Sequence, residues 1–125
     1  MLKELIRKNR SYRRFDEDRR ISKEELLELV ELARLSPSGS NLQPLKYYLS
    51  YEQGNNDQIF STLGWAGYLK DWDGPESGER PTGYIVVLGD SDIAAKFGVD
   101  PGIAAQSILL GATEKGMGGC IFRYY

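Results

Sequence analysis

The sequence predicts an α+β fold in a single domain spanning residues 1–125, and three observations lead to that prediction. The chain length is typical of one domain. Apolar residues at helical spacing follow a capping signal over Ser22–Ala33. Runs of β-forming residues at Leu45–Tyr51 and Tyr84–Asp90 have the length of strands. Helical and strand patterns therefore alternate along one short chain.

The N-terminal third carries the clearest helical signals. Residues 2–6 have helical spacing and predict a short amphipathic helix. Ser22 and Glu25 form a capping box, in which each side chain bonds the other residue's backbone N–H. The apolar positions that repeat after this box are Leu26, Leu29, Val30 and Ala33. The helix should end before Pro37, because a residue that precedes proline avoids the helical region.

The middle of the chain alternates loops with shorter elements. Ser36–Pro44 is a loop by its composition of small and polar residues. Gln53–Asp57 predicts a turn, and Ile59–Leu69 predicts a helix whose Trp65 and Tyr68 serve packing. The strand at Tyr84–Asp90 should be central, because its apolar run is almost continuous.

The C-terminal third predicts one long helix. Asp71–Gly83 is a polar loop that precedes the second strand. Asp100 and Pro101 read as the N-cap and first residue of the helix, and Gly116 as its C-cap. Cys120–Tyr125 could form a last strand. The apolar positions of the helix lie nearly all round it and suggest a subunit interface; they are Ile103, Ala104, Ala105, Ile108, Leu109, Leu110 and Ala112.

Composition excludes several classes of function. The net charge of -2 argues against a general nucleic-acid binder, which needs a basic face. The absence of histidine excludes Ser-His or Cys-His catalysis and a typical zinc site, so no metal is expected. The single cysteine, Cys120, favours a reducing compartment. Without a signal-peptide pattern or a long apolar run, a cytoplasmic protein that binds no membrane is predicted.

A basic segment at Lys8–Arg14 is the first candidate site. A phosphate group needs several converging donors, and Arg10, Ser11 and Arg13 could supply two guanidinium groups and a hydroxyl. The alternative is a solvated turn in which the arginines pair with the acids at positions 16–18. The local pattern alone favours this alternative.

The loop at Pro37–Pro44 is the second candidate site. Its small residues, including Ser38 and Gly39, would let the backbone approach a flat ligand closely. Asn41 and Gln43 each offer a donor and an acceptor, which suits the edge of a heterocycle. The alternative is an ordinary connection between a helix and a strand.

Three motifs in this order resemble the nitroreductase family of FMN-dependent oxidoreductases. They are "NRSYRRF" near the start, "SPSGSNLQP" after the first long helix and "DPGIAAQSILLGATEKGMGGC" from Asp100. The resemblance implies a three-layer sandwich with a central, mostly antiparallel sheet flanked by helices. It places Arg10, Ser11 and Arg13 on the FMN phosphate. The residues that it places against the isoalloxazine are Pro37, Ser38, Gly39 and Asn41.

The resemblance also implies an activity and an assembly. Members are usually homodimers with FMN at the subunit interface, where each subunit contributes to both sites. NAD(P)H delivers a hydride to the flavin, which then reduces a nitroaromatic, a quinone or a related small acceptor in a ping-pong reaction. The flavin supplies the chemistry, so no residue of the chain is named as a catalytic acid, base or nucleophile. Cys120 is expected to be a small core residue rather than a redox thiol.

The ending of the chain departs from the family pattern. After "GMGGC" the family continues with a glycine-containing turn near flavin N5 and further basic residues, whereas this sequence reads "IFRYY". The expectation is a nitroreductase-like domain that lacks the family's C-terminal portion and has an incomplete sheet. Two alternatives stay open: a degenerate flavin-binding protein with little turnover, and a small interaction domain with an unrelated basic patch.

Overall fold

The computed structural model describes residues 1–123 and contains four α-helices and two strands in that range. The helices are α1 (Leu2–Lys8), α2 (Lys23–Arg34), α3 (Gln53–Phe60) and α4 (Asp100–Glu114). A single 3₁₀ turn covers Gly39–Asn41, and the strands are β1 (Leu45–Ser50) and β2 (Tyr84–Gly89). The order of helices and strands confirms the α+β class.

Helix α2 begins at the predicted capping box. Glu25 N donates to Ser22 Oγ at 3.1 Å, and Ser22 N donates to Glu25 Oε1 at 3.1 Å. The box satisfies backbone donors that have no partner within the helix. Leu26, Leu29 and Ala33 are buried, as their helical spacing predicts.

Helices α2 and α4 pack side by side in opposite directions. At one end of the contact, Lys115 just after α4 pairs with Glu28 in the middle of α2. At the other end, the hydroxyls of Ser36 and Ser107 are 2.6 Å apart. Gly111 lies beneath the Leu32 side chain and allows close contact, since a Cβ there would approach Leu32 Cδ1 to 2.2 Å. This pair supplies the buried core residues Leu29, Ala33, Ala104, Ile108 and Ala112.

Strands β1 and β2 form an antiparallel sheet, in register from Leu45 opposite Gly89 to Ser50 opposite Tyr84. Side chains alternate along β1, with Lys46 and Tyr48 exposed. The partly buried residues that pack against the helical core include Leu45, Tyr47 and Ile85. The helix pair therefore covers one face of the sheet.

A glycine ends α4 as predicted. Gly116 has a φ of 79°, in the left-handed region that only glycine adopts without cost. Met117 N donates to Ala112 O at 2.8 Å, and Gly116 N donates to Thr113 O at 3.0 Å. These are the two hydrogen bonds of a Schellman motif. The chain then turns back and pairs with the basic segment through a parallel bridge between Ser11 and Gly119.

The structure corrects two predicted elements. Helix α3 occupies Gln53–Phe60, so the predicted turn at Gln53–Asp57 is wrong, and the predicted helix at Ile59–Leu69 lies mostly outside it. The polar sequence resembled a turn because its one buried residue, Asn56, is polar. Asn56 accepts from Ser50 Oγ at 2.7 Å and donates to Thr82 O at 2.8 Å. These tertiary hydrogen bonds outweigh the weak helix propensity of the segment.

The predicted last strand is also wrong for residues 120–123, which are outside any strand; residues 124 and 125 lie outside the described part of the chain. Of the helices in residues 1–123, none has the length and hydropathy required to cross a bilayer.

Candidate functional site

The basic segment follows α1 and remains open to solvent. The backbone turns at Asn9, where α1 ends with an extended residue. Arg10 Nη1 folds back and donates to Asn9 O at 2.8 Å and Ile6 O at 3.3 Å. Ser11 is exposed. A guanidinium held only by neutral carbonyls still carries donors for an anion.

The segment is fixed beside the chain that leaves α4. Tyr12 N donates to Gly119 O at 3.0 Å, and Tyr12 Oη donates to Lys8 O at 2.8 Å. Gly118 lies under the Tyr12 ring so closely that a Cβ there would come within 2.5 Å of Tyr12 Cδ2. The "GMGG" part of the third motif therefore supports the first motif directly.

Arg13 lies partly buried beside an aromatic ring. Its Nη1 is 3.4 Å from both Ser11 O and Tyr68 Oη, and its Cζ is 5.6 Å from the centroid of the Tyr68 ring. The prediction that Tyr68 is a packing residue is wrong, because its side chain is 73% exposed. Sequence reasoning missed this partner of Arg13, since 55 residues separate the two. Trp65 is buried, as predicted.

The neighbouring acids do not neutralise the basic segment. Within residues 1–123, no ion pair joins Arg10, Arg13 or Arg14 to the acids at positions 16–18. Glu17 instead accepts from two backbone N–H groups, at 2.8 and 3.0 Å, in the loop before β2. The solvated-turn alternative expected these ion pairs, so the structure does not support it.

The second motif forms a loop with an unusual backbone. Ser40, Asn41 and Gln43 have φ values of 51°, 54° and 52°. Residues other than glycine pay for this left-handed conformation, and such strain collects at binding and catalytic sites. The loop is largely exposed: Pro37, Gly39 and Asn41 are open to solvent, and Ser38 is partly buried.

Hydrogen bonds hold this loop from inside and from α4. Gln43 N donates to Ser38 Oγ at 3.0 Å, and Gln43 Nε2 donates to Asn41 Oδ1 at 3.1 Å. Gly39 N donates to Asp100 Oδ1 at 2.9 Å. The prediction that Asp100 caps its own helix is wrong, because Val99 is the N-cap and Asp100 is the first helical residue. The Asp100 carboxylate instead accepts the hydrogen bond from the loop.

The two candidate motifs contact different parts of α4 and of the chain that follows it. The loop contacts Asp100 at the start of this helix, and the segment containing Arg13 contacts Gly119 just beyond its end. The chain turns back after α4, and a Cβ at Gly119 would lie 3.0 Å from Leu109 Cδ2, at a level about 14 Å along the helix from Asp100. One chain therefore presents two separated half-sites, one rich in cationic donors and one that offers exposed backbone and amide groups.

Cys120 lies next to the basic segment and is partly buried. Burial raises the pKa of its thiol, and the nearby Arg13 opposes the shift only in part. A thiol with a raised pKa is a poor nucleophile at neutral pH. This agrees with the expectation that Cys120 is not a redox residue, although it does not lie in a strand.

Comparison with known proteins assigns the family. The family model described as "Nitroreductase family" matches residues 6–68, which is half of the chain. The chain belongs to the nitroreductase family. The match begins before the basic segment and continues through the loop at 37–44, so it contains both candidate half-sites of this nitroreductase-family chain.

Similar proteins agree with the assignment. An oxygen-insensitive NADPH nitroreductase from Helicobacter acinonychis (strain Sheeba) is 39% identical over 57 residues, which are 46% of this chain and 27% of that protein. An FMN-dependent nitroreductase from Clostridium difficile R20291 has a TM-score of 0.72 at 25% identity, covering 91% of this chain and 61% of its own.

A third relative is a Desulfovibrio desulfuricans protein, assigned as a nitroreductase and solved in complex with FMN. It has a TM-score of 0.73 at 25% identity and covers 94% of this chain and 64% of its own. These likenesses confirm the nitroreductase fold. The chain spans less than two thirds of the length of these three relatives.

Proposed function

We propose that this chain binds FMN and acts as an NAD(P)H-dependent oxidoreductase that reduces a nitroaromatic, a quinone or a related small acceptor. The observation that carries the proposal is the state of Arg10 and Arg13. Within residues 1–123, the oxygens that accept from their guanidinium groups are all neutral, in a family whose relatives are named as FMN-dependent or FMN-bound. Unneutralised arginines beside an exposed serine provide the donor set that a phosphate group requires.

The basic segment fits the phosphate end of FMN. Arg10, Ser11 and Arg13 would hold the phosphate, with Arg13 exchanging its long contact to Tyr68 Oη for a charge-assisted one. The bridge to Gly119 fixes the backbone of this segment before any ligand binds. A segment held in place in advance loses less conformational entropy on binding.

The loop fits the flat ring of the flavin. Gly39 and Asn41 are exposed, Asn41 has a left-handed backbone, and Pro37 and Ser38 precede them in the same loop. Small side chains at the first half of this loop let a planar ring approach the main chain. These four residues would contact the isoalloxazine.

We also propose a homodimer with shared sites, as the resemblance to the family implies. In this arrangement one copy would supply the basic segment and the other copy the loop at 37–43. The exposed side of α4 offers a surface for that copy, with a groove of about 490 Å³ lined by Val99, Ile103 and Gln106, among other residues. Val99 is 74% exposed, an uncovered apolar side chain on this surface.

The chain's own residues would bind and orient the reactants. The chemistry that FMN supplies when bound is acceptance of a hydride from NAD(P)H and its delivery as electrons to the acceptor, in two alternating half-reactions. Arg10 and Arg13 would anchor the cofactor, and the loop at 37–43 would set the position of its ring. No acid, base or nucleophile of the chain is assigned a step. A single domain over residues 1–125 and a cytoplasmic location stay predictions.

A degenerate flavin-binding protein is the second candidate. It would use the same half-sites but turn over little. Both candidate functions include binding of FMN. Only the oxidoreductase would have its bound flavin reduced by NAD(P)H.

A flavin spectrum of the purified protein, before and after addition of NADPH or NADH, tests the proposal. A bound oxidised flavin that bleaches with either nucleotide and recovers when a quinone is added supports the oxidoreductase. A bound flavin that neither nucleotide bleaches supports the binding protein. A chain that binds no FMN at micromolar concentration contradicts both.

A further inference from the structure

Asp100 is a buried carboxylate that serves another part of the chain. It is 6% exposed and is the first residue of α4. The free N–H groups at the start of a helix favour negative charge there, so the fold can keep this carboxylate buried without a cation. One of its oxygens, Oδ1, accepts the N–H of Gly39 at 2.9 Å.

Gly39 begins the strained part of the loop. The next two residues, Ser40 and Asn41, both have left-handed backbones. Strained conformations persist only where surrounding contacts hold them. The bonds of Gln43 to Ser38 and Asn41 are internal to the loop and would move with it.

The bond to Asp100 differs from these because it joins the loop to α4. Among residues 1–123, it is the only hydrogen bond from the segment 37–43 to another part of the chain. Helix α4 is also the element that holds the core through Ala104 and Ile108. Asp100 therefore couples the exposed loop to a helix that forms part of the buried core.

We propose that Asp100 is a positioning residue, which fixes the loop at 37–43 so that its backbone is set to receive the flavin ring. The inference rests on the proposed function. Asp100 does not touch the cofactor and acts through the Gly39 amide. Substitution of Asp100 should therefore weaken the contacts of the protein with the ring of FMN and leave its contacts with the phosphate unchanged.

Titration of FMN and riboflavin into three variants tests this role. Asp100→Ala removes the acceptor and should weaken both flavins equally, by about tenfold, because both carry the ring. It should also change the visible spectrum of the bound flavin. Asp100→Asn keeps an acceptor oxygen at the same place and should restore most of the affinity. Thr113→Val is the control, since it removes a buried polar group of α4, a hydroxyl that donates to Leu109 O within the same helix.

Equal affinities for the wild-type chain and Asp100→Ala, with unchanged flavin spectra, would overturn the positioning role. Loss of FMN affinity with riboflavin affinity retained would overturn it too, because the effect would then be on the phosphate. Absence of flavin binding by the wild-type chain would instead refute the proposed function.

If Asp100→Ala does not fold, amide exchange in the flavin-free wild-type chain decides the matter. The Gly39 N–H should exchange more slowly than in an unstructured peptide. Exchange at the unstructured rate would mean that Asp100 does not hold the loop before the flavin binds.

Discussion

The N–H of Tyr12 donates a 3.0 Å hydrogen bond to the carbonyl of Gly119, and this bond sets the basic segment beside the chain that leaves α4. Two residues that are 107 positions apart in the sequence thus join the first and third motifs through their backbones. The contact leaves the neighbouring Ser11 exposed and holds Arg13 next to it.

Removal of either arginine that is predicted to bind the phosphate should weaken the binding of FMN far more than the binding of riboflavin. Arg10→Ala or Arg13→Ala removes a charge-assisted contact, at a cost of about 1.5–3 kcal/mol for FMN and almost none for riboflavin. Titration of both flavins measures the difference. Arg14→Ala is the control, because Arg14 faces the Trp72 ring, at 5.7 Å from its centroid. Equal losses for the two flavins would show that the phosphate is held elsewhere.

Shared sites predict complementation between two defective chains. Arg13→Glu should damage one half-site and Asn41→Ala the other, so each homodimer has two defective sites. Random reassociation of an equal mixture should make about one quarter of all sites intact, because half of the dimers are mixed and each contains one undamaged site. Flavin titration of the mixture and of each variant alone measures this. A mixture that binds no better than its components, or a wild-type chain that sediments as a monomer with FMN bound, would contradict the dimer model.

The burial of the Tyr84 hydroxyl predicts that the unfolding free energy of the chain depends on pH. Its Oη is buried without a hydrogen-bond partner among the described residues, and burial raises its pKa to about 12, with a smaller contribution from Cys120. The folded state thus favours the neutral phenol. The resulting stability is fully present below the unfolded pKa near 10 and is lost as the pH rises to about 12.

Tyr84→Phe should remove this loss. Between pH 10 and 12, the unfolding free energy of the wild-type chain should fall by about 1 kcal/mol more than that of the variant, since solvent screening reduces the full effect of a half-buried group. At pH 7 the variant should be equally or slightly more stable, because the hydroxyl it loses has no partner. Urea unfolding across this range, with the exposed Tyr48→Phe as control, measures both effects. Parallel pH curves for the wild-type chain and Tyr84→Phe would refute the assignment.

Alanine substitutions at two glycines should distinguish the cost of backbone strain from the cost of a side-chain clash. Gly74 and Gly78 have φ values of 110° and 97°, so alanine is strained at both. A Cβ at Gly74 would also lie 2.6 Å from Cδ1 of the buried Trp65, whereas Gly78 has open space around it. Gly74→Ala should therefore lower the unfolding free energy by about 1–3 kcal/mol more than Gly78→Ala. Urea unfolding of the two variants tests this, and equal losses would mean that the Trp65 ring moves aside freely.

The sequence alone determined the elements whose signals are local. The capping box at Ser22, the apolar spacing of α2, the strand runs and Gly116 each depend on neighbouring residues, and the structure confirms them. The resemblance to nitroreductases also rested on the sequence, because its three motifs are short and continuous. The roles of Arg10, Ser11, Arg13 and the loop residues stay predictions.

Only the tertiary structure decided the features that depend on distant partners. Helix α3 forms where a turn was predicted because Asn56 bonds groups on other elements. Tyr68 is beside Arg13 instead of in the core, and Asp100 holds Gly39 instead of capping its own helix. The contacts of the two candidate half-sites with Asp100 and with Gly119 also have no local signal. Each of these features depends on contacts between a polar group and residues that are distant in the sequence. The spacing of residues in the sequence does not encode such contacts.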